Sequence, residues 1–463
     1  MPRLHTLLLF IGDVVLAYFS FLLAAWWIAR LGSFWEIDFD LFLLEENSLL
    51  SMSIVVFTVI FCMYFQGMYE QIRVFSRRRV FEDLTLPFGF MFLSQAFLSY
   101  SRISPVMSRW LMLIGSPIAM LAIFFWRILY SGILLRVIGR ERILFLGDSP
   151  QTREMIDFFH NAPERGHDPI GLLLLQESPP PHEHLSCPIL TATDNLLETL
   201  NQLRPDRISI VDNIIDQSRL TQSLLSLSMR GVRIDSIGDL YEQTYFRVCL
   251  PMLKLNNLIF SPAYQPKVWI IISQEIYGRL LSLIGLALCW PIMILTAIVV
   301  RFDSPGPALL QQTRLGKNGV PFKFLKFRSM FVDADARTGP VRAQENDPRI
   351  TRVGRFIRLT RIDELPQLIN VLRGDMHLVG PRPEMPELQK KLLVDIPLYP
   401  QRHRIKPGIT GWAQIHHEPE DSSRSTERKL GYDLYYIKNM NPAMDMLIIF
   451  QTLKAVALRI GAR

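Results

Sequence analysis

The sequence predicts a three-part membrane protein of mixed class. A bundle of apolar helices comes first, then a small doubly wound α/β domain, then a third region with an apolar helix of its own. Three observations predict this. Apolar segments crowd the first third of the chain, strand and helix patterns alternate through the middle, and a further uncharged run, Leu280–Val300, opens the last part. Apolar residues make up 49% and charged residues 20%, which lies between a soluble enzyme and a polytopic membrane protein, so only part of the chain is expected in a bilayer. With 463 residues there is room for two or three domains.

The first part, 1–138, holds four apolar segments, roughly Leu4–Ile28, Leu49–Phe65, Leu84–Ser99 and Leu111–Leu135. The first and fourth are long enough to cross about 30 Å of hydrocarbon; the second and third are shorter. The first segment lacks a small-residue cleavage site and reads as a retained anchor. Asp13 lies inside it and should face other helices rather than lipid. Arg73, Arg77, Arg78 and Arg79 separate segments two and three, and Arg136, Arg140 and Arg142 follow segment four. Glu36, Asp38, Asp40, Glu45 and Glu46 lie between segments one and two. Basic loops prefer the cytoplasm, so the N-terminus, the second loop and everything from Arg136 onward are expected there.

The second part, 139–250, opens with an apolar strand ending at Gly147. A helical stretch (Arg153–Asn161) and a strand (Ile170–Leu175) follow, then a proline loop at Pro179–Pro181, then the strands Arg207–Val211 and Val232–Asp235. This alternation predicts a doubly wound domain. The turn after the first strand carries only one of the glycines a dinucleotide cradle needs, and its Asp148 would repel phosphate, so a structural or regulatory role is expected.

The third part, 267–463, contains Leu280–Val300 with Pro291 near its centre. Lys267 and Arg279 precede the run, and Arg301, Arg314 and Lys317 follow it, so both flanks favour the same side. A helix that enters one leaflet, bends at Pro291 and returns satisfies both flanks. A straight span with a tolerated proline is the alternative.

Net charge is +7, and the bases cluster beside apolar segments, which suits anionic headgroups and phosphates. No zinc-finger spacing or RNP-type strand points to nucleic acid. Cys62, Cys187, Cys249 and Cys289 are scattered and indicate neither a disulfide framework nor a zinc site.

Chemistry concentrates between Arg361 and Glu387. Asp363 and Glu364 are adjacent, with Arg355, Arg358 and Arg361 upstream and Arg373 and Arg382 downstream. Carboxylates act as nucleophiles or hold Mg²⁺, arginines fork onto phosphate oxygens, and phosphoryl transfer combines the two. A salt-bridged surface helix is the plainer alternative. Lys326, on a short basic strand (Leu325–Met330), could add a cation or be an exposed edge lysine. In Lys406–Ile415, Trp412 could stack or pack. His416 and His417 read as surface histidines, and the tyrosines of Tyr432–Asn439 as core.

Three spaced segments, Arg301–Met330, "DELPQLINVLRGDMHLVGPRP" and "KPGITGWAQI", strongly resemble the bacterial sugar transferases, the monotopic phosphoglycosyl transferases. The resemblance covers about Lys267 to Arg463. The whole chain resembles the long form, in which four membrane spans and a Rossmann-like domain precede the catalytic unit. The resemblance implies a monotopic α/β catalytic domain with a re-entrant helix over 280–300, kinked at Pro291. It implies that Asp363 attacks the sugar-linked phosphate of a UDP-sugar, that UMP leaves, and that polyprenyl (undecaprenyl) phosphate takes the phosphosugar, initiating exopolysaccharide assembly. Glu364 matches the partner carboxylate, and Asp363 and Glu364 together match the Mg²⁺ site. Lys326, Arg358 and Arg382 match bases expected near the phosphates. The expected location is the bacterial inner membrane, multi-pass, with the catalytic domain cytoplasmic; self-association is one role open to the N-terminal regions. Arg361-Ile362 replaces the commoner Ser-Leu, and Trp290 replaces a small residue.

Two rival readings are a membrane nucleotide-sugar dehydratase and a non-catalytic scaffold for polysaccharide assembly. The first needs an intact glycine-rich turn and a Tyr-x-x-x-Lys pair, both lacking here. The intact Asp363, Glu364 and Arg382 argue against the second.

Overall fold

The computed structural model describes residues 2–30, 46–69, 77–100, 107–174, 185–191, 200, 202–211, 218–253, 255–332, 347–416 and 423–457. The acidic loop residues Glu36, Asp38, Asp40 and Glu45, together with Arg73, Pro179–Pro181 and His417, lie outside them. The chain divides into two compact units, Met1–Leu240 and Tyr241–Arg463.

The first unit begins with α1 (Pro2–Arg30), α2 (Glu46–Phe65), α3 (Arg77–Tyr100) and α4 (Arg109–Ile138). Of these, α1, α2 and α4 are long and apolar enough to cross a membrane; α3, which opens on Arg77-Arg78-Arg79, is not. Their shared interior is apolar, with Phe21, Met52, Val55, Leu84, Met91 and Ile123 buried. Large apolar side chains such as Phe19, Phe57, Phe97 and Phe125 point outward, an exposed apolar surface of the kind that marks a membrane or partner contact. Asp13 is fully buried and bonds Arg127 on α4 at 2.7 Å; Arg127 also donates to the Met68 carbonyl at 2.9 Å. A carboxylate on an apolar helix therefore meets a cation inside the bundle, where a lone charge would be costly.

A five-stranded sheet follows: β1 (Glu141–Leu146), β2 (His167–Leu174), β3 (Ile189–Thr191), β4 (Arg207–Ile210) and β5 (Arg233–Ser236). Their order is β3-β2-β1-β4-β5, and all neighbours are parallel. The helices α5 (Pro150–Asn161) and α6 (Ser218–Met229) lie between strands in the chain. The chain winds outward from β1 and then reverses to β4, so β1/β4 is a topological switch point. At that turn Gly147 has φ +90°, the Asp148 carboxylate pairs with Arg153 at 2.5 Å, and Ser149 caps α5 through Thr152 N.

The second unit carries α7 (Val268–Asp303) and an antiparallel pair, β6 (Leu309–Leu315) and β7 (Pro321–Phe327). Next come α8 (Arg352–Leu359), a single 3₁₀ turn (Ile362–Glu364) and α9 (Gln367–Arg373). The parallel strands β8 (His377–Val379) and β9 (Gly408–Thr410) follow, then α10 (Ser423–Asn439) and α11 (Pro442–Ala457). Ile270, Val379, Tyr399, Trp412, Leu434, Tyr436 and Ile448 form its main core. The segment after Leu240 belongs to this core. Val248 is buried in it, the Val248 amide donates to the Gly431 carbonyl at 3.0 Å, and Trp412 Nε1 donates to the Phe246 carbonyl at 2.8 Å.

Along α7 the buried positions are Ile270, Gln274, Gly278 and Ser282, then Thr296 and Val300. The four-residue steps mark one helical face. At the first end Gln274 donates to Tyr436 (2.8 Å) and Asp445 (2.7 Å), and Tyr277 also bonds Asp445. At the far end Val300 packs with Phe327 and Ile357. Between these ends Leu283, Leu288, Trp290, Ile292 and Leu295 are exposed around Pro291.

Candidate active site

Local backbone signals place the carboxylate pair. Thr351 caps α8 by accepting from Gly354 N, and the helix ends at Thr360. Arg361 then takes a left-handed conformation (φ 57°, ψ 14°), which turns the chain sharply into Ile362–Glu364. A non-glycine residue there costs of order 1–3 kcal/mol and is found where surroundings over-determine it. Pro366, at φ −61°, leads into α9, which Gly374 (φ 84°) terminates. Asp363 and Glu364 thus stand on a short, rigid turn rather than mid-helix.

Arg382 closes the site from a strap eighteen residues downstream, donating to Glu364 Oε1 at 2.9 Å. Arg361 approaches the same oxygen at 3.5 Å. The strap is held by close backbone packing: Gly380 N donates to Thr410 O (2.9 Å) and Gly408 N to Pro381 O (3.0 Å). A Cβ on Gly408 would come within 2.1 Å of Gly380 N, so only glycine fits there. Lys326 is on β7, which packs against the carboxylate turn. Asn370, fully buried on α9, fixes that strand: its Nδ2 donates to Lys323 O at 2.7 Å, and its Oδ1 accepts from Leu325 N at 3.0 Å.

The two carboxylates differ in state. Burial, then the neighbouring Glu364 charge, pushes Asp363 up to about 6, against the pull of Lys326, Arg358 and Arg382. Burial also pushes Glu364 up, but the Arg382 guanidinium, helped by Arg361 and Lys326, outweighs it and holds Glu364 below its ordinary value. Burial, then Arg314, brings Lys326 down to about 8. Asp363 Oδ1 is buried and accepts no hydrogen bond among the described residues. Glu364 is engaged; Asp363 keeps a free oxygen amid cations.

Asp363, Glu364, Lys326, Arg358 and Arg382 therefore converge electrostatically. Lys326 is half-buried, not an exposed edge lysine. Arg355 and Arg373 are exposed, with no part in the pair. Pro291 lies apart, in the exposed middle of α7. Trp412 is core, stacked on Tyr435; His416 is exposed, its ring tilted by 42° against Trp412 with 3.9 Å between centroids. Asn370 and the Arg361–Glu364 contact are the participants that the residue pattern alone does not reveal. An asparagine inside a helix, where it is a poor helix former, is the only local hint.

Among the described residues no group of three or more His, Cys, Asp or Glu side chains could hold a metal ion. Magnesium needs fewer protein ligands, since one or two carboxylates with substrate phosphates suffice. The free Asp363 oxygen fits that requirement, and Glu364 fits if it shares its charge between Arg382 and the ion.

Residues 271–459 match the family model described as bacterial sugar transferase. A UDP-N-acetylgalactosamine-undecaprenyl-phosphate N-acetylgalactosaminephosphotransferase of Aeromonas hydrophila is 41% identical over 210 residues, 45% of this chain and 48% of that protein. A UDP-glucose:undecaprenyl-phosphate glucose-1-phosphate transferase of Xanthomonas campestris pv. campestris is 33% identical over 275 residues, 57% and 56% of the two chains. These matches span about half the length of each relative. A UDP-glucose:undecaprenyl-phosphate glucose-1-phosphate transferase of Escherichia coli (strain K12) is 30% identical over 318 residues, 68% of this chain and 67% of that protein. With the family model matched across the site and a relative aligned over two thirds of its length, the chain belongs to the bacterial sugar transferase family.

Proposed function

We propose that this protein transfers a sugar 1-phosphate from a UDP-sugar to a polyprenyl phosphate such as undecaprenyl phosphate, releases UMP, and so begins assembly of an exopolysaccharide or related glycan. The activities named for its relatives support this reading. The observation that carries it is Asp363: a buried, unpartnered carboxylate oxygen among Lys326, Arg358 and Arg382, beside a carboxylate already neutralised by Arg382.

The cations receive the diphosphate and offset its repulsion from Asp363. An Asp363 oxygen attacks the sugar-linked phosphorus; the P–O bond to UMP breaks, and UMP leaves with the electron pair. An oxygen of the polyprenyl phosphate then attacks the same phosphorus and releases the Asp363 carboxylate. Covalent attack divides one displacement into two and gives ping-pong kinetics. Mg²⁺, held by Asp363 and Glu364 with the diphosphate, would add charge neutralisation on the phosphate oxygens.

In this reading α7 is a re-entrant helix. Both its ends pack on one catalytic unit, while the exposed apolar stretch around Pro291 would lie in the near leaflet. The first unit would be a multi-pass membrane bundle with a Rossmann-like domain of regulatory or structural role, the order β3-β2-β1-β4-β5 supporting that label. The protein would sit in the bacterial inner membrane with its catalytic part cytoplasmic, giving three regions, 1–138, 139–240 and 241–463, with 241–250 moved from the middle region to the last because Val248 packs in the second unit's core. The test is mass spectrometry of the purified protein with a UDP-sugar and Mg²⁺ but no acceptor. A phosphosugar adduct on Asp363 with stoichiometric UMP is expected; UMP release without adduct would overturn the covalent route.

A further inference from the structure

Arg382 is 38% exposed and reaches Glu364 from a strap containing two prolines, which supply no N–H groups to tie it down. Beyond the Gly380 amide the strap is held by its carbonyls, and one of these bonds comes from a side chain with no contact to the carboxylate pair. Arg402 is 1% exposed. Its Nη2 donates to the Arg382 carbonyl at 3.0 Å and pairs with Asp433 on α10 at 2.8 Å. Its Nη1 donates to Tyr399 Oη at 2.5 Å and to Glu384 Oε1 at 3.3 Å. Glu384 is the second residue after Arg382; it also accepts from Lys429 at 2.5 Å, and its carbonyl accepts from Leu315 N at 3.0 Å. On the other side Arg314 Nη1 reaches the Pro383 carbonyl at 3.4 Å.

A buried ion group of this kind is not an economical way to stabilise a fold, because desolvation offsets most of its attraction. Its geometry has a more specific use. The planar guanidinium joins the strap backbone to α10 and to the Tyr399–Arg404 turn at fixed angles, which a lysine cannot reproduce. We propose that Arg402, anchored by Glu384 and Asp433, is a positioning residue: it fixes the backbone at Arg382 so that the Arg382 guanidinium stands against Glu364 and the incoming phosphates. This rests on the functional reading above, in which Arg382 serves the phosphates.

The test is a double-mutant cycle on UMP release, with UDP-glucose and UDP-N-acetylgalactosamine as donors and full-length protein in detergent. Arg402→Lys is expected to lower kcat by about 10- to 100-fold, the cost of misplacing a catalytic group by about 1 Å, with a smaller change in KM. In an Arg382→Lys background, where the guanidinium is already lost, the same change should cost less than about threefold, since residues acting through one another are not additive. Ile448→Ala, a core truncation elsewhere, serves as the stability control. If it lowers the unfolding temperature as much as Arg402→Lys yet leaves kcat near wild type, the effect is positional. Equal losses in both backgrounds, or the same kcat loss in Ile448→Ala, would overturn the proposal. Should Arg402→Lys fail to fold, Asp433→Asn replaces it in the cycle with the same expectations. A wild-type protein that releases no UMP from either donor would instead count against the functional reading itself.

Discussion

Replacing Asp363 by asparagine should abolish turnover and make the protein more stable, and the second effect can be sized. Asp363 is raised from an ordinary 3.8 to about 6, chiefly by burial and by Glu364. The folded protein therefore binds this proton more tightly than the unfolded chain does. Stability falls as pH rises from about 4 to about 6, and the full penalty remains at higher pH. Two pH units at ~1.4 kcal/mol each make about 3 kcal/mol. This is an upper value, because the carboxyl is only half-buried and solvent screens it. Asparagine keeps the shape and has no such charge. The variant should match wild type in stability near pH 4 and exceed it by up to about 3 kcal/mol at pH 7.5. Unfolding of both proteins in the same detergent, followed by denaturant titration across that range, reads the difference, and UMP release reads the activity. A variant less stable than wild type at pH 7.5, or with the same pH slope, would refute this account of Asp363. Turnover near the wild-type rate would refute its role as nucleophile.

Other outcomes follow from the same geometry. The pH profile of kcat/KM should rise through about pH 6 as Asp363 ionises and fall through about pH 8 as Lys326 loses its proton; Lys326→Arg should remove the falling limb, and a profile flat from pH 5 to 9 would contradict both assignments. Cysteines placed at Lys267 and Lys317 should react with a membrane-impermeant reagent only after the inner membrane is opened; labelling of either in intact spheroplasts would rule out a re-entrant α7. A fragment beginning at Tyr241 should be more stable than one beginning at Lys267. The shorter one leaves Trp412 Nε1 without its Phe246 partner, at a cost of about 1–3 kcal/mol. Both should release UMP, and equal unfolding temperatures would show that the intervening segment adds nothing.

What could be read from the sequence, and what could not, follows the range of each interaction. The carboxylate pair was legible because its setting is local: a proline just beyond it, a glycine ending the next helix, and arginines at short spacing. Four of the five sheet strands were legible from apolar runs of ordinary length, whereas β3, only Ile189–Thr191, is too short to show a period. That Asp13 faces other helices follows from the cost of charge in lipid; that it pairs there with Arg127 required the fold. Lys326 and Arg382 are visible in the sequence as bases around the pair, but what brings them to it lies in long-range packing. Lys326 is placed by Asn370 through the backbone of its strand, and Arg382 by a strap that approaches β9 so closely that Gly408 admits no side chain. No periodicity or propensity encodes such contacts, since each joins segments that are unremarkable alone. The same holds for Arg402, which looks like one more base in a basic stretch, yet is buried with its charge met by two acids from different elements. A buried arginine of that kind marks where the fold holds its functional backbone in place. The carboxylates that do the chemistry can be found by reading residues, but the groups that aim their partners can be found only by following hydrogen bonds outward from the site.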